Sequence, residues 1–146
     1  MNQTTKILDV LAIGDVVTDA FIKLVDDKAW VGEDEHGKFL SMPFATKVPF
    51  DHAQVIEGVG NASNAAVAFE KLGLEAGLVS NVGNDDWGRD IIRALNEKRV
   101  DTRFVHINTG KATNYHYVLW YKEERTILIK HEEYEYRWPR FRVDDI

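Results

Sequence analysis

The run Glu57-Gly58-Val59-Gly60-Asn61-Ala62-Ser63-Asn64-Ala65-Ala66 concentrates more ligand-binding chemistry than any other stretch of this sequence. Two glycines let a backbone approach a ligand closely, and a helix starting behind them presents N–H groups with no intrahelical partner. Such amides bind phosphate and other anions. They serve equally well for the oxygens of a polyol, and Asn61 and Asn64 add donors and acceptors for hydroxyls. Metal chemistry has no comparable support: cysteine is absent, and the five histidines have neither i, i+4 spacing nor a convergent carboxylate pattern. No metal site is expected.

The elements that must hold this run alternate. Residues 8–13 form a short apolar run closed by Gly14, which predicts a buried strand. Residues 21–25 continue as an exposed ribbon, and residues 26–37, rich in charge and glycine, predict a loop. Residues 39–55 predict two short strands interrupted by Pro43 and Pro49. From Asn61 to Leu72, Ala62, Ala65, Ala66 and Phe69 share one helical face, whose small side chains permit close docking on a sheet. Residues 78–82 predict the next core strand. Asp85 or Asp86 caps a second helix with Trp87, Ile91 and Leu95 as its stripe, and residues 104–107 predict a third strand. Strand, helix, strand, helix implies an α/β domain with a parallel sheet. In residues 113–131 the period becomes two and the chain turns at Lys122-Glu123-Glu124-Arg125, predicting an antiparallel hairpin.

With 146 residues, 45% hydrophobic content and a net charge of −6, the composition fits one soluble intracellular domain and argues against a nucleic-acid surface. No apolar stretch approaches the roughly 18 residues of a membrane span, and the first six residues lack a signal core. A cytoplasmic location is expected, without nucleic-acid or membrane partners.

Gly60, Ala62, Asn64, Ala66, Gly73 and Gly83 fall on one further pattern, and through it the chain resembles the ribokinase-like (PfkB) carbohydrate kinases. Val59 departs from the pattern, standing where the family has Gly or Ala. The resemblance extends to Asp9-Val10-Leu11-Ala12-Ile13-Gly14-Asp15 as the family's first core strand and to Val82-Gly83-Asn84-Asp85-Asp86-Trp87-Gly88 as its glycine–aspartate turn. Glu124-Arg125-Thr126-Ile127 is similar to the hairpin of its lid.

The resemblance implies a ribokinase-like α/β fold: a parallel sheet flanked by helices, present as its N-terminal half only. A small antiparallel β lid is implied from residues of about 19–55 and 113–131. It implies that Asp19, Gly60, Asn61 and Asn64 bind the acceptor sugar, with Asn114 and His116 facing it from the lid. It further implies a homodimer through the lid. The family's second signature, which carries the catalytic base and anion hole, has no counterpart here. No catalytic residue is therefore expected in this chain, and ATP and Mg²⁺ are expected to bind an absent C-terminal half, leaving this fragment without a cofactor and inactive on its own.

Two other functions remain open on sequence. A non-catalytic sugar-binding or dimerisation module is the reading to expect if the truncated chain is the native product. A dinucleotide-binding domain would use Gly58-x-Gly60-x-x-Ser63, but its third glycine is a serine and a complete strand precedes it by some forty residues.

Overall fold

The computed structural model describes residues 7–136 and residue 139. Its elements in chain order are β1 (Val10–Ile13), β2 (Val17–Leu24), β3 (Trp30–Asp34), β4 (Gly37–Ser41), β5 (Phe50–Val59) and α1 (Asn61–Lys71). There follow β6 (Ala76–Gly83), α2 (Asp86–Glu97), β7 (Val105–Asn108), β8 (Tyr115–Tyr121) and β9 (Glu124–Lys130). Two compact units result. The first takes the described residues of Met1–Thr18, Glu57–Asn114 and His131–Ile146; the second takes Asp19–Ile56 and Tyr115–Lys130.

The first unit is built on a parallel sheet in the order β1-β6-β7. Val10 to Ile13 pair with Ala76 to Val79, and Ser80 to Gly83 pair with Val105 to Asn108. All eight residues of β6 are buried, as expected for a parallel strand covered on both faces. Its core joins Val16, Ala66, Ala76, Leu78, Val82, Ile91, Leu95 and Val100. Helix α1 contributes Ala62 and Ala66, whose small side chains bring it close to β1: a Cβ added at Gly14 would lie 3.0 Å from that of Ala62. The helix ends as Gly73 takes φ +89° and Leu74 N–H donates to Phe69 O at 3.0 Å.

Helix α2 differs from its expected stripe. Gly88, Ile91 and Leu95 face inward, at i, i+3 and i+7, while Trp87 is 40% exposed. The inward place in the first turn has no room for a side chain, because a Cβ on Gly88 would meet the Gly83 carbonyl and lie 3.0 Å from Thr113 Oγ1.

The second unit contains a four-stranded sheet in the order β5-β2-β8-β9 and the hairpin β3–β4. Leu24, Ala29 and Tyr121 are its buried apolar centre, with Ile22, Leu40 and Leu119 packed on them. The hairpin occupies part of the expected loop at residues 26–37. Asp34 opposes Gly37 across a two-residue turn, and the Asp34 carboxylate accepts from His36 N–H at 2.8 Å, so local hydrogen bonding closes a hairpin that charge had disguised. β5 is one strand of ten residues, and both Pro43 and Pro49 precede it. Among the described residues no helix is long and apolar enough to cross a membrane.

Candidate functional site

The glycine turn begins inside the end of β5. Gly58 has φ +71° and Gly60, the residue before α1, has φ +132°, conformations that side chains with a Cβ rarely adopt. Space imposes the same choice at Gly60, where an added Cβ would lie 2.6 Å from the Asp15 carbonyl oxygen. The turn and the end of β1 are therefore in backbone contact. Gly60 O accepts from Asn64 N–H at 2.9 Å and from Ser63 Oγ at 3.2 Å, and no side chain caps the helix. Asn61 and Asn64 are exposed while Ser63 is buried, so the two carboxamide residues share the exposed side of the helix's first turn.

Beside this turn, Ile13, Gly14, Asp15, Ser80, Asn81 and Tyr136 line a cavity of about 260 Å³. It adjoins the carboxyl end of β1, the end of a parallel strand at which α/β sheets bind ligands. Ser80 Oγ is buried without a hydrogen-bond partner among the described residues, and Tyr136 OH donates to Asp15 Oδ1 at 3.4 Å.

The second unit holds Asp19 and His116. Asp19 Oδ1 lies 3.2 Å from His116 Nδ1, with side chains 20% and 14% exposed. The contact is close enough for charge attraction when the imidazole is protonated but lacks hydrogen-bond alignment, and Asp19 Oδ1 is buried without a hydrogen bond among the described residues. A buried carboxylate oxygen in that condition suits a hydroxyl donor from a ligand. Strand alternation sets Asp19 on the same face as Phe21 and Lys23 of β2, and His116 with Val118 and Trp120 of β8. Phe21, Lys23, Val118 and Trp120 line a cavity of about 340 Å³ within this unit.

Asn114 is placed otherwise than its expected position on the ribbon. It precedes β8, belongs to the first unit and is buried. Its carboxamide oxygen accepts from Glu132 N–H at 2.7 Å, its own N–H donates to Tyr134 OH at 3.1 Å, and its carbonyl accepts from Thr18 N–H at 3.2 Å. Tyr134 OH in turn donates to Ala112 O at 2.8 Å. Thus Asn114 fastens the entry to β8, and its carboxamide oxygen is engaged within the protein.

A second network, joined to it through residues 112–114, escapes sequence reasoning almost entirely. Asp85 caps α2 by accepting from Gly88 N–H at 3.0 Å, and also accepts from Thr113 N–H at 2.9 Å and Thr113 Oγ1 at 2.5 Å. Thr113 Oγ1 itself accepts from Gly83 N–H at 3.0 Å. Burial pushes the Asp85 carboxyl upward, but the Thr113 hydroxyl and the Thr113 and Gly88 amides outweigh it, leaving its pKa below the ordinary value. Burial pushes Tyr134 up to about 12, against the lowering effect of the Asn114 amide, with the Asp85 charge adding to the rise. The cap was legible from Asp85; Thr113, 28 residues away, was not.

Among the described residues, no three His, Asp or Glu side chains are grouped to hold a metal ion. The first unit supplies backbone amides and the Asn61 and Asn64 carboxamides, and the second supplies the Asp19 carboxylate; each kind of group is suited to binding hydroxyls.

Comparison with known proteins adds four findings. The family model of the pfkB family carbohydrate kinases matches residues 51–140. Mouse (Mus musculus) ribokinase is 26% identical over 120 residues, which are 82% of this chain and 32% of that protein. Among solved structures, Halothermothrix orenii fructokinase aligns with TM-score 0.62 at 18% identity, covering 85% of this chain and 38% of that one. An uncharacterized sugar kinase from Pyrococcus horikoshii, in complex with ATP, aligns with TM-score 0.55 at 24% identity, covering 83% and 33%. The chain thus spans about a third of the length of these relatives.

Proposed function

The chain belongs to the pfkB family of carbohydrate kinases, and on that premise we propose that it carries the acceptor-sugar side of an ATP-dependent phosphoryl transfer. The observation that supports this most directly is the buried Asp19 Oδ1 with no hydrogen bond among the described residues. A sugar hydroxyl donating to it satisfies the oxygen and orients the acceptor. The uncapped α1 amides with Asn61 and Asn64 take further hydroxyls, and Gly60 keeps that approach open. Asn114 and His116 hold the surrounding framework: Asn114 fixes the entry to β8, and His116 flanks Asp19.

A sugar hydroxyl is a weak nucleophile, so transfer needs a base beside it and donors for the phosphoryl charge. We assign both, with ATP and Mg²⁺, to a part of the enzyme outside these 146 residues, a division consistent with relatives more than twice as long. The reaction takes place in the cytoplasm, the protein is a homodimer through the sheet of its second unit, and the chain by itself turns over no sugar.

The test is kcat/KM for D-ribose and D-fructose in the complete kinase and its Asp19→Ala variant. Loss of a hydrogen bond to a charged group costs about 1.5–3 kcal/mol, so roughly a tenfold or greater fall is expected for whichever sugar is the substrate. ATP binding should change little. Near-normal kcat/KM in Asp19→Ala would overturn the assignment.

A further inference from the structure

The sheet face that carries Asp19 holds a second set of binding groups at its far end. Asp19 of β2 and His116 of β8 approach to 3.2 Å. Four residues further along the same two neighbouring strands Lys23 and Trp120 meet, with the Lys23 ammonium 4.5 Å from the indole ring centroid. Four strand residues span about 13 Å. Phe21 and Val118 lie between the two pairs and join Lys23 and Trp120 in lining the cavity of about 340 Å³ in this unit. Asp19 and the cavity therefore form one continuous track.

The indole at the end of that track is held in place. Trp120 Nε1–H donates to Lys122 O at 2.7 Å, Lys23 Nζ donates to the same carbonyl at 3.1 Å, and the His52 ring packs edge-on with centroids 6.2 Å apart. Trp120 is nevertheless 40% exposed, so a ligand meets a ring already oriented, which lowers the ordering cost of binding. Arg125 is the ladder partner of Trp120 and projects from the same face, and Gln54 lines the cavity from β5. Neither side chain has a hydrogen bond or ion pair among the described residues, which leaves a guanidinium fork and a carboxamide for a ligand.

We propose that this cavity is a subsite for a second sugar ring, and that the acceptor is a disaccharide or larger glycoside whose first ring binds Asp19. The proposal rests on the reading that Asp19 orients the acceptor, and it adds the substrate class. A sugar ring has a C–H face that packs on an aromatic plane and a rim of hydroxyls. The indole matches the first, and Gln54 and Arg125 match the second. A planar base would use the indole but offers these two side chains fewer groups than a ring with a hydroxyl on most of its carbons. Length points the same way: one ring at Asp19 falls short of an indole about 13 Å along the strand, and two linked rings reach it. Binding energy from such a remote ring can be used at the reacting hydroxyl, so the preference should appear in kcat/KM.

The test compares kcat/KM of the complete kinase for maltose, cellobiose, lactose and sucrose with the values for D-glucose, D-galactose and D-fructose. At least one disaccharide should exceed its own component monosaccharides tenfold or more. Trp120→Ala should lower that ratio at least fivefold and Arg125→Ala at least threefold, with unchanged circular dichroism, while Trp120→Phe should hold it within about twofold. A kinase that prefers no disaccharide, or a ratio unmoved by Trp120→Ala and Arg125→Ala, would overturn the subsite and leave the reading of Asp19 to its own variant. A ratio that collapses in Trp120→Ala while Asp19→Ala keeps near-normal kcat/KM would support the second-ring subsite and overturn the place of the first ring. Selective loss of adenosine phosphorylation in Trp120→Ala, with every disaccharide unaffected, would overturn a sugar as the occupant.

Discussion

Replacing Thr113 with valine preserves the shape of the side chain and deletes only its hydroxyl. That hydroxyl donates to Asp85 Oδ1 at 2.5 Å and accepts from Gly83 N–H at 3.0 Å, in a residue only 5% exposed. Losing a bond to a charged acceptor costs about 1.5–3 kcal/mol, and stranding a buried amide adds about 1–3 kcal/mol, giving roughly 2.5–6 kcal/mol in all. Thr113→Ser keeps both bonds and loses one methyl group, about 1 kcal/mol. At about 2–4 °C per kcal/mol for a chain near this size, calorimetry should place the valine variant at least about 5 °C below wild type and the serine variant within about 4 °C. The gap has a defined pH dependence. Asp85 is held below its ordinary pKa, so its stabilisation is complete above the unfolded-state value near 4 and is lost as pH falls through the folded-state value. Valine removes part of that depression, so the difference from wild type should narrow in acid. Equal melting temperatures for Thr113→Val and Thr113→Ser at neutral pH would refute the hydroxyl's assigned place in the network.

Gly60→Ala combines φ +132° with a Cβ 2.6 Å from the Asp15 carbonyl, so strain of about 1–3 kcal/mol and displacement of the turn should appear together, as a lower melting temperature and weaker sugar binding. Gly110→Ala shares the positive φ but meets nothing within 4 Å; calorimetry and sugar titration should show the strain without the loss of binding. Tyr134→Phe removes a hydroxyl that accepts from Asn114 N–H and donates to Ala112 O and should cost about 1–3 kcal/mol in denaturant titration. With Tyr134 raised to about 12, the unfolded chain ionises first as pH rises above about 10. Wild type should therefore lose stability between pH 10 and 12 through this tyrosine, and the phenylalanine variant should lack that component.

The parts of the fold visible in the sequence are those fixed by local patterns. Helix α1 was expected over residues 61–72 and spans Asn61–Lys71, because an alanine face and Gly73 specify its docking and its end. The strand expected at residues 78–82 extends to Ala76–Gly83, since Ala76 and Gly77 carry too little apolar surface to mark its start. Charge hid the β3–β4 hairpin, and the inward place assigned to Trp87 belongs to Gly88, a residue without periodic signal. The candidate site divides in the same way. The glycine turn was legible from composition, whereas Asp19 stood out through family resemblance alone. What no periodicity encodes is contact across distance: the Thr113–Asp85 bond spans 28 residues and the Asn114–Tyr134 bond spans 20. These contacts put Asn114 in a buried structural network, a placement its sequence neighbours on the ribbon do not announce.

The strand order β5-β2-β8-β9 also governs when this sheet can exist. β2 ends at Leu24, and its neighbour β8 begins at Tyr115, roughly ninety residues later. At about 5–20 residues per second of synthesis, β2 waits roughly 5–20 s for that neighbour to emerge. β8 and β9 are separated by two residues and can close within about 10 μs. The later-made hairpin is therefore the natural template onto which an early strand is recruited, and the loop-closure entropy of that long-range pairing falls on a single step. During synthesis β2, with Phe21 and Ile22, has only β5 of its two sheet neighbours within reach, and the interval before β8 appears leaves its other edge open to chaperones and to misassociation.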